Sequence, residues 1–207
     1  MALVKYNNNS ISAVTSASSI PSGAMTLIKT LTASSSATLS FVDGTDGVVL
    51  DSTYPIYKFE FINIHPANNR QTFGFQGNAV GGSGYNETMT TTAFQVYHRE
   101  NDGGAVLQYS AGSDQAQGTA FQILASDGIE NDNDTAGSGY LHLYNPSSTT
   151  FVKHFTSFFN HPHAAICIGT YVAGYFNTTS AIDEIQFKFA SGNIDSGTIK
   201  LYGIKDS

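Results

Sequence analysis

Apolar and polar residues alternate with a period of two in several short segments of this chain, and no segment has the pattern of a three-turn helix. In "YKFEFIN" (57–63) an aromatic residue occupies every second position. The same alternation recurs in "EIQFKFA" (184–190) and "TIKLYGI" (198–204). Successive side chains of a β-strand point to opposite faces of a sheet, so this period predicts half-buried antiparallel strands.

Weaker alternation extends the set, for example in "TAFQVYH" (92–98) and "TAFQILA" (119–125). Many short strands separated by Gly, Asn, Asp and Pro turns are typical of sandwiches rather than of βαβ folds. We therefore predict an all-β fold, an antiparallel β-sandwich of the jelly-roll type with a flexible N-terminal arm. The expected division is an arm in residues 1–24 and a single domain in residues 25–207.

The composition agrees with this fold and excludes one class of partner. Charged residues make up 12% of the chain, which is about half the share usual in soluble proteins. The chain has 14 Phe and 11 Tyr, and aromatic residues favour strands over surface helices. The net charge is −7, and the nine basic residues are scattered along the chain. Nucleic-acid binding needs clustered Lys and Arg, so we expect no nucleic-acid partner.

Two polar segments have the composition of hairpin loops between strands. "YNPSSTTF" (144–151) contains Pro146, whose fixed φ suits the second position of a turn. "SGNIDSG" (191–197) joins two of the most regular alternating segments. For both segments the sequence predicts a hairpin between neighbouring strands.

Residues 1–24 lack sustained alternation and are rich in Asn and Ser. Their few apolar residues are irregularly spaced, so the segment cannot offset its own ordering entropy by burial. We predict an arm that attaches the domain to a partner surface, with Pro21 and Gly23 at the hinge. The alternative is that it adds as an edge strand to its own or a neighbouring subunit. The segment also lacks the long apolar core of a signal peptide, and we expect no membrane insertion.

The densest charge lies in "GIENDNDTAGSGY" (128–140), where Glu130, Asp132 and Asp134 follow Asp127. The spacing fits the first ligands of an EF-hand calcium loop, but the required Gly and the closing Glu are absent. An irregular calcium site stays an alternative. Because Asp, Asn and Gly are also the residues of turns, we predict an exposed turn without a bound ion at residues 128–137.

Histidines cluster in "HFTSFFNHPH" (154–163), and His142 lies one strand earlier. His161 and His163 flank a proline, so both can point the same way, as two zinc ligands would. A third ligand is not identifiable at a workable spacing. We therefore predict a turn at His154, His161 and His163, with imidazoles that hydrogen-bond to the backbone.

Other reactive groups give no recognisable catalytic pattern. Cys167, in "AAICIG", is interpreted as a small buried core side chain. Glu60 lies in a predicted strand, where it can pair with Lys58, with a second carboxylate across a cleft, or with solvent. We find no nucleophile elbow and no phosphate-binding loop. We expect no catalytic, cofactor-binding or metal-binding residues, and no cofactor.

Four stretches are distinctive together: "MALVKYNNNSISAVTSA", "FVDGTDGVVLDSTYPIYKFEFINIHP", "NPSSTTFVKHF" and "GYFNTTSAIDEIQFKFASGNIDSGTIKLYGI". They resemble a family of small virion structural proteins, decoration-associated or fibre-associated, of tailed phages that infect marine bacteria. The resemblance covers nearly the whole chain. It brings no catalytic motif and therefore implies no site residues.

The resemblance implies a non-enzymatic bacteriophage structural protein, displayed on the virion as capsid decoration or as part of a tail fibre. Such a protein would be made in the host cytoplasm and would bind other virion proteins through its arm. By analogy of fold we expect a homo-oligomer, with a trimer as the preferred form. The alternative function is a carbohydrate-binding module for host attachment that contacts a surface glycan. Tyr85, Tyr140 and Tyr202 are its candidate stacking residues.

Overall fold

The computed structural model describes residues 24–205. Over this range the chain forms thirteen β-strands and no helix. In chain order the strands are β1 (Met25–Thr32), β2 (Leu39–Val42), β3 (Ile56–Pro66), β4 (Phe73–Ala79), β5 (Met89–Arg99), β6 (Ala105–Tyr109), β7 (Gln115–Gly118), β8 (Gln122–Ile123), β9 (Gly137–Tyr144), β10 (Lys153–His163), β11 (Ile166–Phe176), β12 (Ile182–Phe189) and β13 (Ile194–Ile204).

The strands form two antiparallel sheets that pack face to face. The larger sheet has nine strands in the order β1-β13-β3-β9-β10-β11-β5-β6, with β7 paired to the first part of β5. The smaller sheet has four strands in the order β2-β12-β4-β8. The prediction of an all-β antiparallel sandwich is therefore confirmed, whereas its jelly-roll form stays a prediction.

A phenylalanine core fills the space between the small sheet and strands β13, β3, β9 and β10. Phe187 on β12 lies at its centre. The centroid of its ring is 5.2 Å from those of Phe59 and Phe61 and 6.0 Å from that of Phe73. The residues predicted to alternate inward are all buried: Tyr57, Phe59, Phe61, Ile185, Phe187, Phe189, Ile199 and Leu201. The sequence period thus assigned the inner faces of β3, β12 and β13 correctly.

Beneath β11 and β5, buried apolar residues such as Val172 and Met89 are accompanied by buried polar ones. There residues 110–128, which we call the covering segment, close the sandwich. They do so through a polar layer of buried hydrogen-bonding side chains, and a representative bond joins Thr91 Oγ1 on β5 to Gln122 Oε1 at 2.8 Å. The members of the polar layer are Thr91, Gln95, Gln122, Ser126, His161, His163 and Thr170.

The two predicted hairpins have different outcomes. Residues 145–152 connect β9 and β10, which pair directly, and Ser148 N donates to Asn145 O at 3.1 Å across a turn that contains Pro146. That prediction is confirmed. The prediction at 191–197 is wrong, because β12 and β13 lie in different sheets. Strand β12 already pairs on both sides with β2 and β4, and β13 with β1 and β3, so neither has a free edge for the other.

The predicted arm lies outside the described residues except for Ala24. The carbonyl oxygen of Ala24 accepts a hydrogen bond from Lys205 N at 3.0 Å, next to the pairing of β1 with β13. Strand β1 is an edge of the large sheet, so residues 1–24 join the domain at that edge. No helix within residues 24–205 has the length and apolar character that a membrane span requires.

Candidate functional site

The register of the large sheet aligns four aromatic side chains on its outer face. Phe94 on β5, Tyr171 on β11, Phe158 on β10 and Tyr140 on β9 are direct cross-strand neighbours. The successive distances between their ring centroids are 4.8, 4.5 and 6.3 Å. We call these four residues the aromatic ridge. It crosses the strands on the face that points away from the small sheet.

A trough of small side chains runs parallel to the aromatic ridge, two residues further along each strand. Its floor consists of Thr92, Ala173 and Thr156, which lie opposite one another on β5, β11 and β10. His142 on β9 pairs with Thr156 and ends the row. The far wall consists of Tyr175, His154 and Tyr144. Two adjoining cavities of about 390 and 240 Å³ occupy the trough and share its three floor residues.

A glycine beside the aromatic ridge keeps the trough open. Gly169 pairs with Asn160, on the side of Phe158 away from Thr156. A Cβ atom on Gly169 would lie 2.9 Å from Cε2 of Phe158, so the phenyl ring leans over the bare glycine backbone. The ring therefore inclines away from the trough floor.

The aromatic ridge is exposed because β5 has an inverted pattern of burial. Phe94 is 42% exposed, whereas its neighbour Gln95 is 4% exposed. The amide of Gln95 donates to Asp127 Oδ2 at 2.9 Å, which ties β5 to the covering segment. An inward Phe94 would place the Gln95 amide outside and leave the Asp127 carboxylate without this donor. The polar layer thus sets which face of β5 is outermost.

The trough is electrically neutral in its lining. No Asp, Glu, Lys or Arg lines either cavity. Near one end Lys58 Nζ lies 5.8 Å from the ring centroid of Tyr140, but this ammonium is paired with Glu60 at 2.7 Å. Near the other end Asp114 accepts a 2.5 Å hydrogen bond from Tyr109. Burial, and to a lesser extent Lys58, lowers the pKa of His142, so this imidazole is uncharged at neutral pH.

The chemical capacity of this face is binding. Hydroxyl groups of Thr and Tyr and the His imidazoles offer hydrogen bonds, and the rings offer apolar contact. The lining residues include neither a carboxylate nor a thiol to serve as nucleophile. A mostly apolar cleft with a few polar groups is the usual form of a small-ligand site.

The acidic residues singled out from the sequence do not point to one common site. Glu130 Oε2 accepts a hydrogen bond from Ala164 N at 2.8 Å, while Asp132 and Asp134 lie in the exposed turn that follows. Asp127 lies on the covering segment and bonds Gln95. The prediction of an exposed turn at 128–137 is right for 131–134 and wrong at both ends, since Gly137 is a buried residue of β9. At the start of this range Ile129 is buried and bridges to Gln71. No group of three His, Cys, Asp or Glu side chains within residues 24–205 has a metal-binding arrangement.

The histidines lie on strand β10 and not on the predicted turn. His161 and His163 are buried in the polar layer, both on the inner face as their spacing suggested. His161 contacts two carbonyl oxygens, Ser126 O at 2.9 Å and Pro162 O at 3.0 Å.

His163 Nδ1 lies 3.2 Å from Gly128 O, and its Nε2 faces the Arg70 guanidinium. The predicted backbone hydrogen bonds of these imidazoles are therefore present. His154 and His142 lie on the opposite, outer face, where both line the trough.

Of the three candidate stacking tyrosines, only Tyr140 belongs to the aromatic ridge. Tyr85 donates to Glu184 Oε2 at 2.7 Å beside the small sheet, and Tyr202 lies on β13, near β1. The interpretation of Cys167 as a buried core residue is wrong. Its side chain is exposed on the outer face of β11, where Asn160 Nδ2 lies 3.2 Å from the sulfur.

Sequence reasoning missed most of the outer face. Phe94, Phe158 and Tyr171 were not singled out, nor were Thr92 and Ala173. A signal for the trough was present in "YVAGY" (171–175), where large, small and large side chains occupy alternate positions. Its meaning depends on pairing with β5 and β10, which align small residues opposite one another.

Comparison with known proteins does not assign this chain to a family. No family model, no curated protein and no solved structure matches it. The function therefore has to be argued from the residues and the geometry of the domain.

Proposed function

We propose that this protein is a non-enzymatic structural protein displayed on the surface of a bacteriophage virion. The resemblance of nearly the whole chain to phage structural proteins motivates the proposal. The observation that carries it is the separation of two regions across the large sheet. Residues 1–24 join the domain at β1, whereas the aromatic ridge is centred on β11. Five strand spacings of about 4.8 Å separate β1 from β11 by about 24 Å.

In this proposal the β1 end attaches and assembles the protein. Met25 and Leu27 are exposed large apolar residues on β1, and Leu27 pairs with Tyr202 on the neighbouring strand. Exposed apolar side chains at a sheet edge favour association with another chain. Residues 1–24 bind other virion proteins, either capsid or tail. The β1 edge supports a homo-oligomer, for which a trimer is the proposed form.

A second candidate function is recognition of a glycan on the host surface. The observation that favours it is the aromatic ridge with its adjoining trough, at the end of the sheet away from β1. The two functions are compatible, because an attached domain can present this face outward.

The experiment for the virion role is deletion of residues 1–22, tested in phage particles and in isolated protein. We expect the truncated protein to keep its melting temperature and to be missing from purified particles. Leu27→Ser in the full chain is the matched variant for assembly, and it should lower the oligomeric mass without affecting the fold.

Two results would contradict the virion role as proposed. A truncated protein that melts many degrees lower would show that the arm belongs to the sandwich. Absence of the full-length protein from intact particles, measured by mass spectrometry, would remove the virion location itself.

A further inference from the structure

We propose that the trough is a binding site for an uncharged oligosaccharide that lies across strands β5, β11, β10 and β9. This inference rests on the receptor-recognition function proposed above, and it names the ligand class and the residues. The two walls and the floor define one continuous site that runs from β5 to His142 on β9.

The shape of the trough fits a short chain of rings. From Thr92 on β5 to His142 on β9 there are three strand spacings, a length of about 14 Å. The site is open to solvent along its length, since Thr92, Ala173 and Thr156 are all exposed. An extended ligand can therefore enter sideways and continue past either end.

The two walls and the floor offer the two kinds of contact that a sugar requires. A pyranose ring presents C–H groups on its faces and hydroxyl groups around its rim. Tyr171 and Tyr140 on one wall and Tyr175 on the other supply apolar ring surface. Thr92 and Thr156 on the floor supply hydroxyl groups that both donate and accept. Tyr144 Oη already lies 3.0 Å from Thr156 Oγ1, so a hydroxyl network reaches the floor.

The net negative charge of the protein and the lack of charged residues in the trough lining favour an uncharged ligand. The protein carries a net charge of −7 and the trough lining has no cationic residue, so an anionic polymer is repelled without local compensation. A cationic ligand would need a carboxylate, which the lining also lacks. Lys58 is neutralised by its 2.7 Å contact with Glu60. A neutral glycan matches this surface, because its binding requires the desolvation of no unpaired charge.

The test is titration of the full-length protein with neutral hexasaccharides, using cellohexaose, maltohexaose, laminarihexaose and chitohexaose, with oligogalacturonate as the acidic comparison. Binding is followed by calorimetry and by NMR shifts of β5, β10 and β11 amides. We expect at least one neutral chain to bind and the acidic chain not to bind.

Two variants address the trough and one serves as control. Ala173→Trp fills the floor, and Tyr171→Ala removes ring surface from the wall. Each should weaken binding by about tenfold or more, equivalent to about 1.4 kcal/mol. Tyr202→Ala removes a tyrosine from the outer face near β1 and should leave the affinity unchanged. Melting temperatures of all three variants verify folding.

The inference is overturned if no neutral chain binds, if oligogalacturonate binds more tightly, or if Ala173→Trp and Tyr171→Ala bind like the parent. It is also overturned if Ala173→Trp dissociates an oligomer, because a second copy of the chain would then occupy the trough. These outcomes are independent of particle incorporation. A protein that joins virions without binding glycan disproves this site alone, and one that binds glycan but is missing from virions disproves the virion role alone.

Discussion

Two regions beneath the large sheet are closed in opposite ways. Under β13, β3, β9 and β10 the filling is the phenylalanine core, whose rings meet mostly edge to face. Under β11 and β5 the filling includes the polar layer beside apolar residues such as Val172 and Met89, and hydrogen bonds bind the covering segment there. Apolar packing is non-directional and accepts any side chain of suitable volume. Hydrogen bonds are directional, so the polar layer fixes register and facing as well as stability.

Removing the centre of the phenylalanine core should have the largest effect on stability. Phe187→Ala deletes a ring that packs against Phe59, Phe61 and Phe73. We expect the free energy of unfolding to fall by about 3–5 kcal/mol, measured by urea denaturation. Phe151→Ala is the control: Phe151 is 69% exposed, and its removal should change stability by no more than about 0.5 kcal/mol. Equal effects of the two changes would mean that the core is not organised around Phe187.

Breaking the polar layer should have a smaller and more local effect. Gln122→Leu keeps the approximate volume but removes the donor to Ser113 O at 2.6 Å and the acceptor for Thr91. We expect a loss of about 2 kcal/mol, because buried groups left without a partner cost about 1–3 kcal/mol each. Amide hydrogen exchange should accelerate in residues 110–121 and remain slow in β3 and β12. Uniform acceleration across both sheets would show that the polar layer is not a separate unit.

The polar layer should also give stability a dependence on pH that the phenylalanine core lacks. Burial is the largest influence on His161 and lowers its pKa from the ordinary value of 6.5, while the carbonyls of Pro162 and Ser126 oppose this shift. The unfolded chain then binds the proton more readily, so stability present above the unfolded pKa is lost as pH falls below it.

The measurement is the free energy of unfolding between about pH 7.5 and about pH 5.5, which spans the ordinary histidine pKa. The decline should be shallower in His161→Gln. His142→Gln is the comparison on the outer face, where burial also lowers the pKa and the sign is the same. An NMR titration that places the pKa of His161 above 6.5 would reverse the expected slope.

The smallest change in stability is expected from substitutions that test the inverted burial pattern of β5. Phe94→Ser should cost only about 1 kcal/mol, chiefly through lost stacking on Tyr171 at 4.8 Å, since Phe94 is already partly in water. Gln95→Leu should cost more, although it adds an apolar residue, because it removes the side-chain hydrogen bond that ties β5 to the covering segment. Thermal unfolding of the two variants decides the order. If Phe94→Ser proves the more harmful change, the polar layer does not control the facing of β5.

The same contrast explains how much of this molecule could be predicted from its sequence. Strands β3, β12 and β13 alternate large aromatic or aliphatic residues with polar ones, so their inner faces were predictable from hydrophobicity alone. In β5 that rule would place Phe94 inward, whereas the buried face, which holds Met89 and Ala93, also carries the polar Thr91 and Gln95. Their partners lie about thirty residues later in the chain, and a single-strand pattern does not contain them.

The structure of the covering segment was also only partly predictable from its sequence. Residues 119–125 were predicted as a strand, and only Gln122 and Ile123 form one. Gln122 itself pairs with Phe75 on β4, and its side chain also donates to Ser113 O within the covering segment. The trough was unpredictable for a further reason. It exists only once the register of β5, β11, β10 and β9 is set, and register between distant strands is a tertiary property.

The position of β13 determines when the large sheet can form all of its strand pairs. This strand lies between β1 and β3, so β1 has no partner strand, and β3 has only β9, until residues 194–204 have left the ribosome. Contacts between such distant parts of a chain form slowly, and incomplete chains expose apolar strands in the meantime. A stop codon that removes β13 alone should yield insoluble protein, even though every residue of the aromatic ridge and the trough would still be present.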